Sequence, residues 1–369
     1  MHKVLTIFGT RPEAIKLAPI VKELSNRSDL FESIVGVTGQ HDLLLDQVLD
    51  VFSITPHFNL KIMRENQQLM GLTGSILDKV GNIIKDLQPN IILVQGDTTT
   101  VFAASLAAFY QKIMIGHVEA GMRTNDKYEP FPEEMNRRLT DQISDLFFAP
   151  TETNRRNLLN EGIANERIHV TGNTVVDALL QICSSSLPIQ SDQLPDINGK
   201  MILLTAHRRE NFGKPLENVF KAISRLARTH KDFQFIFPAH PNPNVQLAAK
   251  GIFAGIDNIY VLTPVDYLTF IHLMNKAYLI LTDSGGIQEE APTLHKPVLI
   301  LRNKTERREI VDAGGAKLVG TNPETIVTEV ARLIEDKTYY RNMANIKNPY
   351  GDGHSAEKIV TILQECLER

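Results

Sequence analysis

Short apolar runs alternate with helical patterns along almost the whole chain, and this alternation limits the possible folds more than any other feature. Between the runs, apolar residues recur every three or four positions, as at Leu17, Ile20, Val21 and Leu24, which is the spacing of one buried helix face. The same spacing predicts helices over 69–87 and 139–146. Strands buried on both faces that alternate with helices are typical of parallel sheets in doubly wound α/β domains. The runs predict strands at residues 4–8, 33–38, 91–95, 113–117, 201–205, 234–237, 259–262, 278–281 and 298–301.

A break in this periodicity divides the chain in two. The segment "CSSSLPIQSDQLPDINGK" gathers Ser, Pro, Asp and Gly, which is typical of a linker. Beyond it, "MILLTAHRRENFGK" repeats the plan of "VLTIFGTRPEAIK": a strand, a short loop with Arg, and a helix. A length of 369 residues is also comfortable for two domains. We therefore predict two similar α/β domains facing a cleft, with ligands at the carboxyl ends of the strands.

Composition argues against several classes of function. A formal net charge of −4, without a basic stripe, gives no electrostatic basis for binding nucleic acid or an anionic membrane. Cys183 and Cys366 are the only cysteines, too few for a disulfide framework or a four-ligand zinc site. The apolar run at the amino terminus is too short for a membrane span and has no cleavage-site pattern. We expect a soluble cytoplasmic protein.

The stretch "FGTRPEAIK" joins the first predicted strand to the first helix. Thr10 can cap that helix, Pro12 suits its first turn, and Glu13 is favoured near the positive end of the helix dipole. Arg11 and Lys16 add two cations near a helix amino terminus, a place that binds phosphate well. A well-capped helix with solvated basic residues explains the stretch equally well. The Walker pattern and G-x-G-x-x-G do not occur, which argues against ordinary ATPases and nicotinamide enzymes.

The stretch "LTDSGGIQEEAP" makes the corresponding junction in the second half. Ser284 is a good helix cap, and Gly285 and Gly286 let a ligand approach the backbone amides closely. A diphosphate would suit such a place, and the carboxylate of Glu290 could bind ribose hydroxyl groups. A glycine-opened helix packed tightly on its sheet is the alternative interpretation.

Two carboxylates lie just after predicted strands. Asp97 comes after the strand at 91–95 and could be a base, a metal ligand or a helix cap. Glu119 comes just after the strand at 113–117, with Arg123 nearby. A carboxylate in such a place is either paired with an arginine or held by partial burial in a state suited to acid–base chemistry.

Another pair of carboxylates, Glu133 and Glu134, opens a predicted helix. The spacing to Arg137 and Arg138 is i,i+4, which is typical of a solvated helix face. From spacing alone, these charged residues are therefore as consistent with a solvated helix face as with a catalytic role.

Histidines mark the ends of predicted strands in the second half. His207 lies in "TAHRREN" and His240 in "FPAHPNP". A single histidine is more often structural, but both would face the predicted cleft. A metal site built from Asp97, His117, Glu119 and His207 is conceivable, although no H-E-x-x-H and no i,i+4 histidine pair supports one.

Taken together, eight stretches resemble the bacterial non-hydrolysing UDP-N-acetylglucosamine (UDP-GlcNAc) 2-epimerases. In chain order they are "FGTRPEAIK", "GDTTT", "HVEAGMRT", "PEEMNRRLTD", "TGNTVVDAL", "HRREN", "LTDSGGIQEEAP" and "NPYGDG", and they extend over essentially the whole chain. The resemblance implies two Rossmann-like domains similar to GT-B glycosyltransferases, with the last helix (354–368) returning to the first domain. The implied domains are 1–171 with 354–369, carrying the catalytic carboxylates, and 172–353, binding UDP.

The activity implied by the resemblance is the reversible conversion of UDP-GlcNAc to UDP-N-acetylmannosamine (UDP-ManNAc) for bacterial surface polysaccharides. The implied route eliminates UDP from carbon 1 while a base takes the proton from carbon 2, and UDP then adds back to 2-acetamidoglucal. It requires cations for the leaving diphosphate, acid–base groups at the sugar and a closed site. No cofactor or metal is implied. The implied partners are UDP-GlcNAc, UDP and a second copy of the chain.

The resemblance also implies roles for individual residues. The catalytic positions are Asp97, Glu119, Glu133 and His207, whereas Glu134 is interpreted as a solvated partner of Arg138. The substrate positions are Arg11, Lys16, Ser284, Gly285 and Gly286 for the phosphates, Glu290 for the ribose and Phe270 for the uracil. Which carboxylate acts as base and which as acid stays open.

Some relatives are activated by a second UDP-GlcNAc molecule, and this leaves an allosteric site open here. The matching positions are Gln40, His41, Arg208 and His240. However, Leu43 and Asn66 stand where activated relatives carry a Gln and an Arg.

Four alternative functions are compatible with parts of the sequence. A hydrolysing epimerase would release free ManNAc and UDP, and a relative could act on a different UDP-2-acetamido sugar. A retaining GT-B-type glycosyltransferase would need an acceptor groove. A non-catalytic nucleotide-sugar sensor would be expected to lack the carboxylate set, which is complete here.

Overall fold

The computed structural model describes residues 1–39, 43–62, 67–185, 189, 194–208, 211–240 and 242–368. The chain divides into two compact units, Met1–Gln181 with Tyr350–Arg369 and Ile182–Pro349. Among the described residues, none of the helices has both the length and the apolar character that a membrane crossing requires. Each unit is an α/β domain built on a parallel sheet, which confirms the predicted fold class.

The first unit contains a seven-stranded parallel sheet with helices between its strands. Its strands are β1 (His2–Phe8), β2 (Phe31–Val37), β3 (Phe58–Asn59), β4 (Ile91–Gln95), β5 (Met114–Val118), β6 (Leu146–Ala149) and β7 (Ile168–Val170). Its helices are α1 (Arg11–Asn26), α2 (Leu43–Val51), α3 (Leu69–Leu87), α4 (Thr99–Tyr110), α5 (Glu133–Ile143), α6 (Glu152–Asn160), α7 (Thr174–Ser184, which runs into the second unit) and, from the end of the chain, α15 (Ser355–Leu367). The strand order is β3-β2-β1-β4-β5-β6-β7.

The second unit contains a six-stranded parallel sheet. Its strands are β8 (Lys200–Thr205), β9 (Phe233–Pro238), β10 (Ile259–Leu262), β11 (Ala277–Thr282), β12 (Val298–Ile300) and β13 (Ala316–Leu318). Its helices are α8 (Lys214–Thr229), α9 (Pro243–Phe253), α10 (Tyr267–Lys276), α11 (Gly285–Glu290), α12 (Arg308–Asp312), α13 (Pro323–Glu335) and α14 (Lys337–Ala344). The order β10-β9-β8-β11-β12-β13 is the Rossmann order, and six strands of the first unit share it.

Both sheets reverse their strand order beside their first strand, between β1 and β4 and between β8 and β11. Doubly wound sheets bind ligands at such a point, outside the carboxyl ends of the strands. The segments leaving these four strands begin at residues 9, 96, 206 and 283. The topology therefore brings the conspicuous sequence stretches of each unit together at one edge of its sheet.

Helix α1 shows how local sequence and packing agree. Its predicted apolar face is confirmed, because Leu17, Ile20, Val21 and Leu24 are all buried. Full burial of such side chains contributes about 1.5–3 kcal/mol each relative to exposure. The Thr10 N–H at the start of the helix donates to the Glu13 carboxylate at 2.6 Å, as expected for a capped amino terminus.

The helix predicted over 139–146 is wrong at its carboxyl end. Helix α5 ends at Ile143, Ser144 is extended, and Leu146 begins strand β6. Strand β6 pairs with β5 in the parallel sheet, and this pairing overrides the helical spacing. Strands β3, β7 and β13, which have two or three residues each, were not predicted.

The carboxyl-terminal helix α15 lies in the first unit and packs against α1. At its start, the Ala356 N–H donates to Asp177 Oδ1 on α7 at 2.8 Å. Farther along, Arg27 Nη1 donates to Thr361 Oγ1 at 3.1 Å. The end of the chain thus packs in the same unit as its beginning.

Candidate active site

Glu119 is the most constrained carboxylate of the first unit. It follows β5 directly, is buried, and has a positive φ of 68°. A residue other than glycine in that region carries a backbone cost of about 1–3 kcal/mol, so its surroundings must hold it there. Lys16 Nζ lies 2.6 Å and Asn173 Nδ2 3.0 Å from Glu119 Oε1, and Gln95 Nε2 donates to Oε2. The predicted alternative of an arginine partner is wrong, because the cation at Glu119 is Lys16.

Asp97 is held from helix α5 and is more open. Its carboxylate forms an ion pair with Arg137, and its backbone carbonyl accepts from Asn136 Nδ2 at 2.9 Å. The Asp97 side chain is 28 % exposed, whereas that of Glu119 is 7 % exposed. Asp97 is not a helix cap, since Thr98 is the N-cap of α4. Of the three interpretations of Asp97, capping is therefore excluded.

The expected solvated ion pairs of α5 are wrong. Glu134 is completely buried and accepts the Thr124 N–H at 3.0 Å and the Asn125 N–H at 3.2 Å. Arg137 Nη1 lies 3.4 Å from Glu134, whereas Arg138 pairs with Glu161. The carboxylate of Glu134 therefore anchors the loop after β5, and backbone donors outcompete the i,i+4 cation.

Glu133, one residue earlier, points elsewhere. Its Oε2 is buried and has no hydrogen-bond partner in the part of the chain that the structure describes. Glu133 and Arg137 are four residues apart and so share one face of α5. Because Arg137 binds Asp97, this face of the helix is directed towards the loop that carries Asp97.

A buried charge network lies behind these carboxylates. His117 Nδ1 lies 2.6 Å from Asp141 Oδ1, and Arg123 Nη2 lies 2.7 Å from Asp141 Oδ2. Arg123 also pairs with Glu161 at 2.6 Å. Burial alone would raise the pKa of Asp141, but His117 and Arg123 outweigh it and the pKa is lowered. Asp141 is therefore ionised.

At the start of α1, an internal carboxylate occupies the backbone amides. Glu13 Oε2 accepts from the Gly9 N–H at 3.0 Å and the Thr10 N–H at 2.6 Å, while Thr98 donates to Oε1 at 2.7 Å. Burial raises the pKa of Glu13, although hydrogen bonds with Thr10, Thr98 and Gly9 act the other way. Arg11 is half-buried and makes no hydrogen bond or ion pair with other described residues.

In the second unit, Asp283 organises the loop that carries His207. This fully buried carboxylate accepts the His207 N–H at 2.9 Å, the Arg208 N–H at 2.9 Å and Asn211 Nδ2 at 3.1 Å. His207 Nδ1 lies 3.2 Å from Asp283 Oδ1, which favours the tautomer with a proton on Nδ1. The His207 ring also stacks on His240, with 5.7 Å between the ring centroids.

Burial lowers the pKa of His207, and the charges of Arg208 and His240 add to this, whereas Asp283 opposes it. The ring is therefore neutral at neutral pH, since even an unperturbed histidine is mostly deprotonated there. With Nδ1–H directed at Asp283, Nε2 is left to face a ligand.

The glycines after Ser284 have unequal surroundings. A Cβ on Gly285 would lie 3.0 Å from Arg307 Cζ, whereas a Cβ on Gly286 would meet nothing within 4 Å. Arg307 is held by Glu289 at 3.0 Å and by Glu306 at 2.5 Å. Gly285 therefore makes room for a guanidinium group at the first turn of α11.

Glu306 is strongly ionised. Burial would raise its pKa, but Arg307, its own backbone N–H, Arg302 and Arg208 lower it to about 2. Two arginines thus lie against one carboxylate beside the amino terminus of α11, with Arg302 Nη1 3.0 Å from Glu306.

The two residues assigned to the nucleoside lie on or near α10. Phe270 is half-buried on that helix. Glu290 ends α11, is buried, and accepts from Tyr267 Oη at 2.7 Å. The structure therefore places Phe270 and Glu290 in the same unit as Ser284, Gly285, Gly286 and His207.

Of the possible allosteric residues, Arg208 and His240 belong to the His207 loop and its stacked neighbour. Gln40, His41 and Asn66 lie outside the described residues, and Leu43 is described only as the first residue of α2. In the described ranges, no three His, Cys, Asp or Glu side chains are grouped to hold a metal ion. Both ring nitrogens of His117 are already engaged.

Sequence reasoning missed the residues that hold the candidate side chains. They are Gln95, Asn136, Asp141 and Asn173 in the first unit, and Asp283, Arg302, Glu306 and Arg307 in the second. Two of them carried a usable signal, because Gln95 ends a predicted strand and Asp283 lies two residues after another. The others lie on helices or loops far away in sequence.

Known proteins match this chain over nearly its whole length. The family model for UDP-N-acetylglucosamine 2-epimerase matches residues 22–364. A UDP-N-acetylglucosamine 2-epimerase of Yersinia pestis is 51 % identical over 370 residues, which cover 98 % of each chain. The structure of UDP-GlcNAc 2-epimerase from Neisseria meningitidis, solved with UDP-GlcNAc, aligns with a TM-score of 0.90 at 48 % identity, covering 98 % of this chain and 100 % of that one.

An S. aureus protein solved with UDP aligns with a TM-score of 0.89 at 47 % identity, covering 100 % of this chain and 97 % of that one. The similarity thus extends over both units. The family predicted from the eight sequence stretches is confirmed. The chain belongs to the UDP-N-acetylglucosamine 2-epimerase family, whose members are isomerases.

Proposed function

We propose that this chain interconverts UDP-GlcNAc and UDP-ManNAc without net hydrolysis, by eliminating UDP to give 2-acetamidoglucal and adding it back on the other face. The observation that carries the proposal is the pair of unequal carboxylates at the carboxyl edge of the first sheet. Glu119 is buried and already holds three donors, whereas Asp97 holds one cation and is partly exposed. Acid–base chemistry at one carbon is favoured by two such groups with different environments.

The chemistry of the substrate explains why elimination is needed. The hydrogen on carbon 2 has no neighbouring carbonyl that would acidify it, and the sequence has no nicotinamide fingerprint for an oxidative route. Loss of UDP from carbon 1 supplies the driving force instead. The electron pair of the C2–H bond forms the new carbon–carbon double bond, and the electron pair of the C1–O bond leaves with UDP. A protein base takes up the proton.

Asp97 is the better candidate for that base. Its Oδ2 pairs with Arg137, and its Oδ1 accepts no hydrogen bond from the described residues. Glu119 has at most one acceptor position left after its bonds to Lys16, Asn173 and Gln95. Glu133, with a buried oxygen that lacks a partner among the described residues, is assigned the proton exchange on the opposite face.

The second unit is assigned the nucleotide. Arg302 and Arg307 lie beside the amino terminus of α11, where Ser284 and the two glycines present backbone N–H groups. His207 is neutral and keeps Nε2 for the leaving diphosphate or its bridging oxygen. Glu290 and Phe270 are assigned to the ribose and the uracil. Arg11 is assigned to a phosphate, whereas the contact of Lys16 with Glu119 supports a role beside the carboxylates.

The wider biological assignments also belong to this proposal. They are a homodimer and a supply of UDP-ManNAc for bacterial surface polysaccharides. Size-exclusion chromatography with light scattering tests the first, and loss of a ManNAc-containing polysaccharide on deletion of the gene tests the second.

Proton NMR of UDP-GlcNAc with the purified protein in D2O tests the reaction. We expect UDP-ManNAc with deuterium at carbon 2 and little free sugar. Free ManNAc and UDP as the main products would replace the proposal by the hydrolysing reaction. Conversion without deuterium at carbon 2 would exclude proton transfer to solvent-exchangeable carboxylates, and no conversion at all would direct the search to other UDP-2-acetamido sugars.

A further inference from the structure

His117 is a completely buried histidine whose two ring nitrogens both face oxygen atoms. Nδ1 lies 2.6 Å from Asp141 Oδ1, and Nε2 lies 2.8 Å from the backbone carbonyl of Gly96. It begins "HVEAG", two residues before Glu119, and nothing in the proposed reaction uses it. A buried polar ring of this kind calls for an explanation, because a buried hydrogen-bonding group without a partner costs about 1–3 kcal/mol.

The partners determine where the protons are. A backbone carbonyl only accepts, so Nε2 must carry a proton. Asp141 is ionised and accepts from Arg123 at 2.7 Å and from the Gly121 N–H at 3.3 Å through its other oxygen. An ionised carboxylate also only accepts, so Nδ1 must carry a proton as well.

The Gly96 carbonyl belongs to the loop that carries Asp97. Gly96 has a positive φ of 81° and donates its N–H to Val118 O at 3.0 Å. The next carbonyl, of Asp97 itself, accepts from Asn136 at 2.9 Å. The loop is therefore held on one side by β5, through Val118 and His117, and on the other side by α5, through Asn136 and Arg137.

We propose that His117 is a positioning residue that acts as a buried imidazolium, donating through Nε2 to the Gly96 carbonyl and so fixing Asp97 relative to Glu119. The chain Asp141–His117–Gly96 connects helix α5 to the Asp97 loop through strand β5, which also carries Glu119 at its end. This inference rests on the proposed role of Asp97. His117 touches neither substrate nor reacting atoms, so its effect is on geometry.

The protonation state is tested on the unmodified protein, independently of any activity. The chain has 11 histidines, and 15N-labelling of their rings, with His117 assigned by its loss in His117→Gln, resolves each ring. We expect both His117 nitrogens to carry protons at neutral pH, with a one-bond N–H coupling at each. A single protonated nitrogen would overturn the imidazolium.

The positioning role is tested with two amide variants that each keep half of the ring's contacts. A glutamine amide nitrogen reaches the place of Nε2 and retains the donor to Gly96, whereas an asparagine amide nitrogen reaches the place of Nδ1 and retains only the contact with Asp141. We expect His117→Asn to lower kcat about 10- to 100-fold with KM within about threefold, since small misplacements of catalytic groups cost that much. We expect His117→Gln to stay within about fivefold of the parent protein.

The order of the two kcat values distinguishes this role from a purely structural one. If His117 served only the buried ion pair, the asparagine variant, which retains a donor to Asp141, would be at least as active as the glutamine variant. Equal or reversed kcat values, measured where both variants are folded by circular dichroism, would overturn the proposal. If the parent protein had no epimerase activity, the proposed function would be contradicted instead. The NMR result would still determine the charge on His117.

Discussion

The two points at which the sheets reverse their strand order have the same topology but place different groups at the start of a neighbouring helix. In the first unit, the amides at the start of α1 are occupied by Glu13, and the neighbouring loop carries Asp97. In the second unit, the carboxylate Asp283 binds the loop after β8, and the start of α11 is flanked by Arg307. One fold thus fills a helix start with a carboxylate of the same helix at one switch point and places an arginine beside a helix start at the other.

The difference shows that a helix amino terminus is an anion site only when the chain has not filled it itself. The amides at the start of α1 already hold a carboxylate of their own helix. The carboxylate of Asp283, shortly before α11, instead accepts the backbone N–H groups of His207 and Arg208 in the loop after β8. This contrast agrees with the proposal that proton transfer at the sugar uses carboxylates of the first unit, while the start of α11 in the second unit binds phosphate.

Removing the charge of Asp97 should have the largest effect. Asp97→Asn keeps the shape but cannot take a proton, so we expect kcat to fall about 1,000-fold or more, the upper part of the range for a general base. UDP affinity, measured by calorimetry, should change less than about threefold. Glu152→Gln, an exposed change on α6, is the control. Near-normal turnover in Asp97→Asn would remove Asp97 from the proton transfer.

The matching change in the second unit is Asp283→Asn. An asparagine that keeps its oxygen on the loop amides must direct its NH2 group at His207 Nδ1, which moves the ring proton to Nε2. We expect kcat to fall about 10- to 100-fold, as for other mispositioned catalytic groups. The exposed Asp312→Asn on α12 is the control. Unchanged kcat would show that the tautomer of His207 is irrelevant to the reaction.

Gly285→Ala should have a smaller effect, confined to nucleotide binding. The new Cβ would lie 3.0 Å from Arg307 Cζ, and Arg307 is held between Glu289 and Glu306, so the guanidinium must shift. We expect UDP to bind about tenfold more weakly, equivalent to about 1.4 kcal/mol. Gly251→Ala on α9, where a Cβ meets nothing within 4 Å, is the control. Equal affinity in both variants would contradict the role of Arg307.

The smallest expected effect is an opposite pH dependence of stability in the two units. Because the pKa of Glu13 is raised, its ionisation lowers the free energy of unfolding. This loss of stability is present at neutral pH and is relieved as the pH falls through the folded-state pKa. The pKa of Glu306 is lowered to about 2, so its contribution is present above its unfolded pKa of about 4.3 and is lost as pH falls from there towards 2.

Urea unfolding of Glu13→Gln and Glu306→Gln between about pH 7 and about pH 3 measures this difference. As the pH falls, the free energy of unfolding of Glu13→Gln should decrease relative to that of the parent protein. The free energy of unfolding of Glu306→Gln should increase relative to it. A common pH dependence in the two variants would show that the two carboxylates do not differ in this way.

Much of the fold followed from the sequence because periodicity is a local property. Strands such as β4 (Ile91–Gln95) and the buried face of α1 were predicted from residues that lie next to one another along the chain. The family followed from eight ordered stretches, and the comparisons confirm it. The predicted helix over 139–146 failed where strand pairing overrode helical spacing.

The partners of the charged residues were decided only by tertiary structure. By spacing, Glu134 should pair with Arg138 at the surface, yet it is completely buried on the amides of Thr124 and Asn125. Lys16 was predicted to bind phosphate, yet its amine contacts Glu119, 103 positions away. Parallel strands bring such distant residues to one edge of a sheet, and burial there makes a missing partner costly. The sequence by itself therefore determined which residues reach the strand ends, and the packing of the sheet decided which of them meet.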